Sequence, residues 1–261
     1  EPDGIRRYVH LSTGNYNDST ARVYTDVGYF TARPEFGSDL SAFFNVITGY
    51  SLPPTFHRIE MAPTGLRQRI LGLIEREIEK HTDETPGRIR IKANAIIDAE
   101  VIDALYRASR AGVEVELVVR GLCRLRAGVE GLSERIALIS ILDRFLEHSR
   151  IYHFQNGGQD EVYLASADCM ERNLDRRLEL FFPLLDEAVK RDVLHILDVA
   201  LTDNCHAWDL RDSEYVRRSP AGRQKERRSQ AILYEEARKA AGARKAGGPE
   251  RVFRARKNPN S

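Results

Sequence analysis

Apolar and polar positions along this chain alternate between helical and strand spacing. Apolar residues three or four apart predict an amphipathic helix over 65–80, and alternation over 88–93 predicts a strand. A second helix is predicted over 98–110, with Asp98 as its N-cap, and a second strand over 113–119. Because parallel strands are joined by a crossover helix, this order predicts a parallel pair within an α/β domain.

Shorter elements flank this unit. The other predicted strands are 6–11, 20–30, 151–154 and 161–165, and the other predicted helices are 36–48, 186–201 and 229–241. The Pro-Pro step at 53–54 interrupts the pattern and suggests a boundary. We therefore divide the chain into a first part over 1–57, a domain over 58–243 and a disordered basic tail over 244–261.

Composition predicts a water-soluble protein. No run approaches the roughly 18 apolar residues that a membrane span needs, and the first residues do not resemble a signal peptide. The chain starts at Glu1 without an initiator Met, so we expect it to begin mid-protein. Three cysteines without metal-ligand spacing predict reduced thiols in a cytoplasmic protein, with the surface of the inner membrane as the alternative location.

The formal charge of +1 conceals two oppositely charged regions. From residue 211 onward there are 15 Lys and Arg against 6 Asp and Glu, which leaves 25 against 33 in the first 210 residues. An acidic body excludes a uniformly basic surface, so we predict no nucleic-acid partner. Anion binding in the body must then depend on local arginine clusters, whereas the basic end alone fits a non-catalytic polyanion-binding module.

One stretch near the middle of the chain is rich in chemically useful side chains. It contains His148 and Arg150 beside a predicted strand, then Asn173, Arg177 and Glu179 after a hairpin. A neutral imidazole can attack phosphorus or donate a proton to a leaving oxygen, and cations stabilise phosphoryl charge. Residues two apart in a strand share a face, so our hypothesis is that Glu179 orients His148 while Arg177 binds phosphate. A purely structural histidine is the alternative.

A second group of similar composition lies near the start of the chain. His10 is followed by a threonine, a glycine and Asn15, which are typical of a small phosphate cradle. Tyr24 and Asp26 come soon after. Two such groups suggest two half-sites that close over one substrate.

Two further polar residues follow the predicted parallel strands. Asn94 and Arg120 lie where ligands of α/β sheets bind, although ordinary loop polarity is the alternative. The sequence has no Walker motif, no protein-kinase glycine loop and no Cys/His cluster, so we predict no metal site.

Long motifs in the chain resemble one family. They are HLSTGNYN at 10–17, TARVYTD at 20–26, VRGLCRLRAGVEGLSE at 119–134, FLEHSRIYHF at 145–154 and VYLASADCMERNLDRRLE at 162–179. They are similar to the C-terminal region of bacterial polyphosphate kinase. The resemblance implies reversible transfer of the terminal phosphate of ATP to polyphosphate through a phosphohistidine. It also implies phospholipase D-like α/β domains with a mixed or parallel sheet flanked by helices, the first partial here and the second complete.

The resemblance also implies roles for individual residues. His148 is similar to a catalytic histidine on the nucleotide side, and Glu179 to its orienting carboxylate. Asp26 is similar to the catalytic carboxylate paired with the phosphorylated histidine, and Tyr24 and Arg120 to ATP contacts that act with His148. The implied phosphate or polyphosphate contacts are Arg177, Arg150, Asn173, His10 and Asn15.

The chain departs from the family pattern in several respects. The phosphorylated histidine belongs to an HxK motif upstream of the position of His10, before the first residue here. Mg2+ is expected for the parent enzyme, but its family ligands are not in this chain. Cys169 replaces an aromatic residue, which suggests an altered pocket wall. We expect the parent to be a homo-oligomeric kinase that binds ATP or ADP and polyphosphate, and this chain to bind them without catalysis.

A phospholipase D-like phosphodiesterase is the alternative enzyme. It needs the pattern HxKxxxxD, whereas this chain has Arg150 two residues after His148 and Gln155 at the aspartate position.

Overall fold

A computed structural model describes residues 5–49, 55–211 and 213–246, so the predicted boundary at 53–54 and most of the predicted tail lie outside the described residues. The helices of these ranges are α1 Pro34–Ile47, α2 Leu66–Lys80, α3 Ala99–Arg110, α4 Glu171–Arg176, α5 Glu187–Leu201 and α6 Ser229–Ala246. The strands are β1 Val9–Ser12, β2 Tyr24–Thr25, β3 Gly28–Thr31, β4 Glu60–Ala62, β5 Arg88–Ala93, β6 Glu114–Val119, β7 Ile136–Ile141, β8 Leu146–Glu147, β9 Arg150–Phe154, β10 Glu161–Ala165, β11 Glu179–Pro183, β12 Ala207–Arg211 and β13 Glu214–Arg217. None of the described helices is long and apolar enough to cross a membrane.

A nine-stranded mixed sheet runs through the molecule in the order β13-β12-β7-β6-β5-β9-β10-β11-β4. β5, β6 and β7 are parallel, and every other neighbouring pair is antiparallel. The predicted α/β class and the predicted parallel pair, β5 with β6, are confirmed. Two short ladders stand apart from this sheet: β1 pairs antiparallel with β3, and β2 pairs parallel with β8.

The sheet separates two apolar layers. Successive residues of β9 belong to opposite layers, because side chains alternate along a strand. Tyr152 packs with α2 and α3 on one face, whereas Ile151 packs with α1 and α5 on the other. Val9 and Phe36, from the first part of the chain, belong to this second layer. The first part therefore shares a core with the domain that follows it.

The N-terminus of α3 links three helices. Asp98 accepts a hydrogen bond from the Val101 backbone N–H at 3.1 Å, which confirms it as the N-cap. Its carboxylate also accepts from Arg67 Nη2 at 2.9 Å, and the same nitrogen donates to Asp175 of α4 at 2.7 Å. These bonds fix α4, which carries Asn173, against the layer formed by α2 and α3.

Several local predictions were wrong. The region 20–30 is a 3-10 helix, Thr20–Arg22, followed by two separate strands, β2 and β3, rather than one strand. Residues 171–176 form a helix because Leu174 is buried in the core, so Arg177 precedes β11 and does not share a strand with Glu179. A hairpin of β12 and β13 leads into the basic region, and the sequence did not predict it.

A buried histidine in β9 lies between a cation and a carboxylate. Arg90 Nε donates to His153 Nδ1 at 2.9 Å, and His153 Nε2 lies 2.6 Å from Asp160. His153 is only 3% exposed. Burial and the neighbouring Arg90 outweigh the carboxylate and lower the pKa of His153 from 6.5 to about 4. The imidazole is therefore neutral in the folded protein at neutral pH.

We predict that protonation of His153 destabilises the fold in acid. Because the folded-state pKa is the lower one, its contribution is fully present above pH 6.5 and is lost as the pH falls toward 4. The linked loss is about 3 kcal/mol. Urea unfolding at several pH values should give a shallower decline for His153→Gln than for the wild type. His195→Gln is the matched control, because His195 is half exposed; an equal effect of both substitutions would contradict the assignment.

Candidate functional site

The candidate site forms where the start of the chain meets its middle. β2 and β8 pair in parallel, with Thr25 opposite Glu147. The residues that follow on the two strands, Asp26 and His148, are therefore neighbours. The backbone N–H of His148 donates to Thr25 Oγ1 at 3.2 Å, which extends the contact by one residue.

Asp26 holds the ring of His148. Nδ1 lies 3.0 Å from each carboxylate oxygen, and the two side chains are 10% and 21% exposed. An ionised carboxylate only accepts hydrogen bonds, so Nδ1 is the donor and Nε2 is the atom that gains or loses a proton. The ring of Tyr24 packs beside the imidazole, with 4.7 Å between centroids. The histidine is thus oriented on two sides.

Arg150 is the cation nearest to His148. Its Nη1 lies 3.2 and 3.1 Å from the two ring nitrogens of His148. The same guanidinium donates to Asp168 at 3.2 and 2.8 Å and to the Thr13 carbonyl at 2.9 Å. Asp168 in turn accepts from the backbone N–H of Asn94 at 2.7 Å. Arg150 is therefore a fixed charge in the wall of the site.

The turn after β1 closes the site around Asp26. Thr13 Oγ1 donates to the carboxylate at 2.8 Å and accepts from the Val27 backbone N–H at 3.0 Å. Gly14 lies so close that a Cβ there would be 2.1 Å from Asp26 Oδ2. Only glycine leaves room for the carboxylate at this position.

The hypothesis that Glu179 orients His148 needs correction. Glu179 accepts from Ser166 Oγ and from Asn173 Nδ2, the latter at 2.7 Å. Among the described residues, the carboxylate bonded to His148 is Asp26, because the β2–β8 ladder brings it there. Glu179 instead opens β11 beside β4. The structure thus places Asp26, and not Glu179, beside this histidine.

Tyr24 and Arg120 line one cavity. This cavity measures about 310 Å³ and also includes Phe145 and Leu142. Arg120 Nη2 donates to Asn94 Oδ1, so the two predicted strand-end residues are neighbours. Arg120 Nε is buried and has no partner among the described residues.

The implied phosphate contacts other than Arg150 are scattered. His10 stacks on Phe30 at 4.2 Å between centroids, and Asn15 is exposed. Neither contacts His148 in the described part of the chain. Arg177 is exposed after α4, and the Asn173 amide is occupied by Glu179. Of the predicted phosphate cradle, Thr13 and Gly14 contact Asp26 in the candidate site, whereas His10 and Asn15 do not contact His148.

Comparison with known families adds a decisive observation. The model for polyphosphate kinase C-terminal domain 2 matches residues 59–230, which is more than half of the chain, and the model for C-terminal domain 1 matches residues 1–53. The chain belongs to the polyphosphate kinase family.

Individual relatives give the extent of this polyphosphate kinase match. The chain is 48% identical to polyphosphate kinase of Synechocystis sp. over 233 residues, which cover 89% of the chain and 32% of that protein. The crystal structure of polyphosphate kinase from Porphyromonas gingivalis matches with a TM-score of 0.86 and 37% identity, over 91% of the chain and 37% of that structure. The crystal structure of a phospholipase D family member from Salmonella typhimurium matches with a TM-score of 0.44 and 17% identity, over 59% of the chain and 97% of that structure. The chain spans about a third of the polyphosphate kinases it matches.

The carboxylates of the candidate site do not form a cluster that fits Mg2+. No group of three or more His, Cys, Asp or Glu side chains in the described ranges is arranged to hold a metal ion. Asp26 is bonded to His148 and Thr13, and Asp168 to Arg150. These acceptors are already occupied by protein donors.

Two residues differ from what their sequence context predicted. Cys169 is fully buried in the main core, and its sulfur lies 3.2 Å from the Tyr152 hydroxyl, so it is a core residue. Burial raises the pKa of the Cys169 thiol to about 12. Asp168, which holds Arg150, was not assigned a role from the sequence, although its place three residues after a predicted strand was a usable signal.

We predict that Gly14→Ala disrupts the site, because the new Cβ must displace the Asp26 carboxylate. Overpacking of this kind costs about 1–3 kcal/mol. Gly72→Ala is the control, since nothing lies within 4 Å of a Cβ there; in an exposed helix interior it should stabilise by about 0.5–1 kcal/mol. Thermal and urea unfolding of both variants test this. A Gly14→Ala protein as stable as the wild type would refute the close approach.

Proposed function

We propose that this chain forms the nucleotide-side wall of a site that transfers the terminal phosphate of ATP to polyphosphate and back. The family match over residues 1–53 and 59–230 supports this activity for the whole protein, of which the chain spans about a third. Within the chain, three side chains support a nucleotide site.

One observation carries the proposal: the three side chains with an implied ATP contact are contiguous. The Tyr24 ring packs on His148, and Tyr24 also lines the cavity that contains Arg120. The Arg120 guanidinium belongs to the wall of that cavity and donates to Asn94 Oδ1. An aromatic ring with an imidazole on one side and a guanidinium on the other suits a nucleotide, because the base can stack on the ring and the phosphates accept hydrogen bonds.

His148 acts on the phosphates in this proposal. Asp26 fixes its ring through Nδ1–H, so His148 gives a proton to the leaving oxygen from Nε2 as the imidazolium, which the Asp26 carboxylate stabilises, and is left as the neutral Nδ1–H form. Arg150 adds a fixed positive charge 3.1 Å from Nε2. A preorganised cation of this kind stabilises the negative charge that spreads over phosphoryl oxygens.

Glu179 serves a different histidine in this proposal. Asp26 comes from the first part of the chain and holds a histidine of the second part. By the same crossed arrangement, Glu179 of the second part orients the histidine of the family's HxK motif, which belongs to the first domain of the parent protein. Ser166 and Asn173 already hold the Glu179 carboxylate, so it is preorganised for that contact.

Polyphosphate approaches along the cationic surface of α4. Arg177 is exposed at its end, and Arg172 and Arg176 are exposed within it. Guanidinium groups bind phosphate oxygens in a bidentate manner. Mg2+, which the family uses, would shield the charge of the nucleotide phosphates, and no carboxylate cluster of the described residues would hold it. Homo-oligomerisation of the parent protein remains a prediction.

We predict that the chain binds a non-hydrolysable ATP analogue and that Arg120→Ala weakens binding by about tenfold or more, as expected for a lost charge-assisted hydrogen bond. Isothermal titration of each variant measures this. Arg124→Ala is the matched control, because it removes the same charge from an exposed position four residues away. Equal affinities for Arg120→Ala and Arg124→Ala would exclude the assigned site.

We also predict that the isolated chain forms no phosphohistidine, because its own histidine beside Arg150 acts as proton donor and not as nucleophile. Incubation with γ-labelled ATP followed by alkaline gel electrophoresis should give no labelled chain. Label that appears in the wild type and disappears in His148→Gln would show that His148 is the nucleophile and would overturn this division of roles.

A further inference from the structure

A buried ion pair lies behind the candidate site and has no part in the reaction proposed above. Lys92 Nζ of β5 lies 2.7 Å from Glu147 Oε2 of β8, and only 3% and 9% of their side chains are exposed. Lys92 also donates to Ser149 Oγ at 2.8 Å. Burial opposes ionisation of Glu147, but Lys92 and the hydrogen bonds to the carboxylate outweigh it and lower the pKa of Glu147. Glu147 is therefore ionised at neutral pH.

A glutamine of α6 is bonded to this pair and to the backbone beside it. Gln230 Nε2 donates to Glu147 Oε1 at 2.7 Å and to the Phe145 carbonyl at 2.8 Å. Gln230 Oε1 accepts from the Phe145 backbone N–H at 2.8 Å. An amide that bonds both backbone groups of one residue fixes the position and the direction of that residue. Gln230 is 6% exposed, so water does not compete easily for these bonds.

The start of α6 is itself anchored. Asp203 is fully buried and accepts from the backbone N–H and the hydroxyl of Ser229, each at 2.7 Å. Arg228 Nε donates to Asp143 at 2.8 Å, two residues before Phe145. The start of α6 is therefore fixed, and Gln230 is held in place with it.

Polar bonds, rather than close packing, connect α6 to β2. A cavity of about 390 Å³ lies between them, and its lining includes Tyr24, Glu147, Gln230 and Leu233. Unfilled space transmits no contact, since dispersion attraction is lost across a gap. Glu147 Oε2, however, lies 3.2 Å from Thr25 Oγ1, whose single proton it shares with the Leu146 carbonyl at 3.3 Å.

This bond leads directly to the catalytic histidine. Thr25 Oγ1, which donates to Glu147, accepts from the backbone N–H of His148 at 3.2 Å. Thr25 is also the residue before Asp26, and Glu147 is the residue before His148. One carboxylate thus touches both strands immediately before the two groups that must meet.

We infer that Gln230 and Glu147 are positioning residues for the contact between Asp26 and His148. Gln230, on a helix more than 80 positions further along the chain, holds Glu147 in place. The geometric part of this inference concerns the His148–Asp26 contact alone. Its consequence for nucleotide binding rests on the function proposed above. Lys92 supports these contacts, because it keeps Glu147 ionised, and an ionised carboxylate is a strong acceptor for both Gln230 and Thr25.

NMR of the histidine ring tests the geometric part. The 261-residue chain is labelled with ¹³C-histidine, and the His148 signal is assigned from its loss in His148→Gln. Gln230→Leu should move this signal in the same direction as Asp26→Asn. Leu233→Ala is the control, because it removes an apolar side chain from the same helix and cavity without touching the polar bonds. It should leave the His148 signal in place.

Two outcomes would overturn the inference: a His148 signal that Gln230→Leu leaves unchanged, or one that Leu233→Ala moves equally. Should Gln230→Leu fail to fold, Gln230→Glu keeps the side-chain size, removes the donor to Glu147 and should give the same shift. In a parallel titration with the ATP analogue, Gln230→Leu should weaken binding about tenfold, as expected for a displaced contact residue. If the wild type binds no nucleotide, the proposed function fails, while the NMR comparison still decides the positioning role.

Discussion

The chemistry of this chain depends on a parallel ladder of two residues, β2 against β8. Such a short ladder is too weak to persist by itself, since isolated strand pairs are marginal in water. Here the Leu146 backbone N–H donates to the Val23 carbonyl at 2.8 Å at the start of the ladder, and side chains bond at its end. Glu147 bonds to Thr25 in the last pair, and Asp26 bonds to His148 one residue beyond it. The side-chain bonds and the ladder are mutually dependent, so the site forms only in the complete fold.

The charges around this ladder favour specificity over stability. Arg150 with Asp168 and Lys92 with Glu147 are pairs whose side chains are at most 9% exposed. Desolvation offsets most of the attraction in a buried ion pair, so such pairs contribute little net stability. A misplaced partner, however, leaves an unpaired buried charge, which costs about 3–5 kcal/mol. The apolar layers on the two faces of the sheet hold the fold together, and the buried ions select one arrangement of the site within it.

The sequence was informative where structure is decided locally. The periodicity over α2, β5, α3 and β6 arises from residues a few positions apart. Asp98 caps α3 by bonding to the backbone of Val101, only three residues away. The pairing of carboxylates with histidines is decided by contacts between distant segments. Glu179 is closer in sequence to His148, but Asp26 is its partner because of the β2–β8 ladder. No local sequence pattern marks Gln230, because its amide has a role through its bonds to Phe145, which lies 85 positions earlier in the chain.

The pairing of Asp26 with His148 has a consequence for how the candidate site is divided. Asp26 comes from the part of the chain that matches one family domain and His148 from the part that matches the next. The second part alone cannot hold His148 in this orientation, because the carboxylate that fixes it lies on the first part. The two parts must therefore stay in contact for His148 to remain oriented. Val9 and Phe36 meet this requirement, since they bury the first part in the same apolar layer as α5 and keep Asp26 within reach of the imidazole.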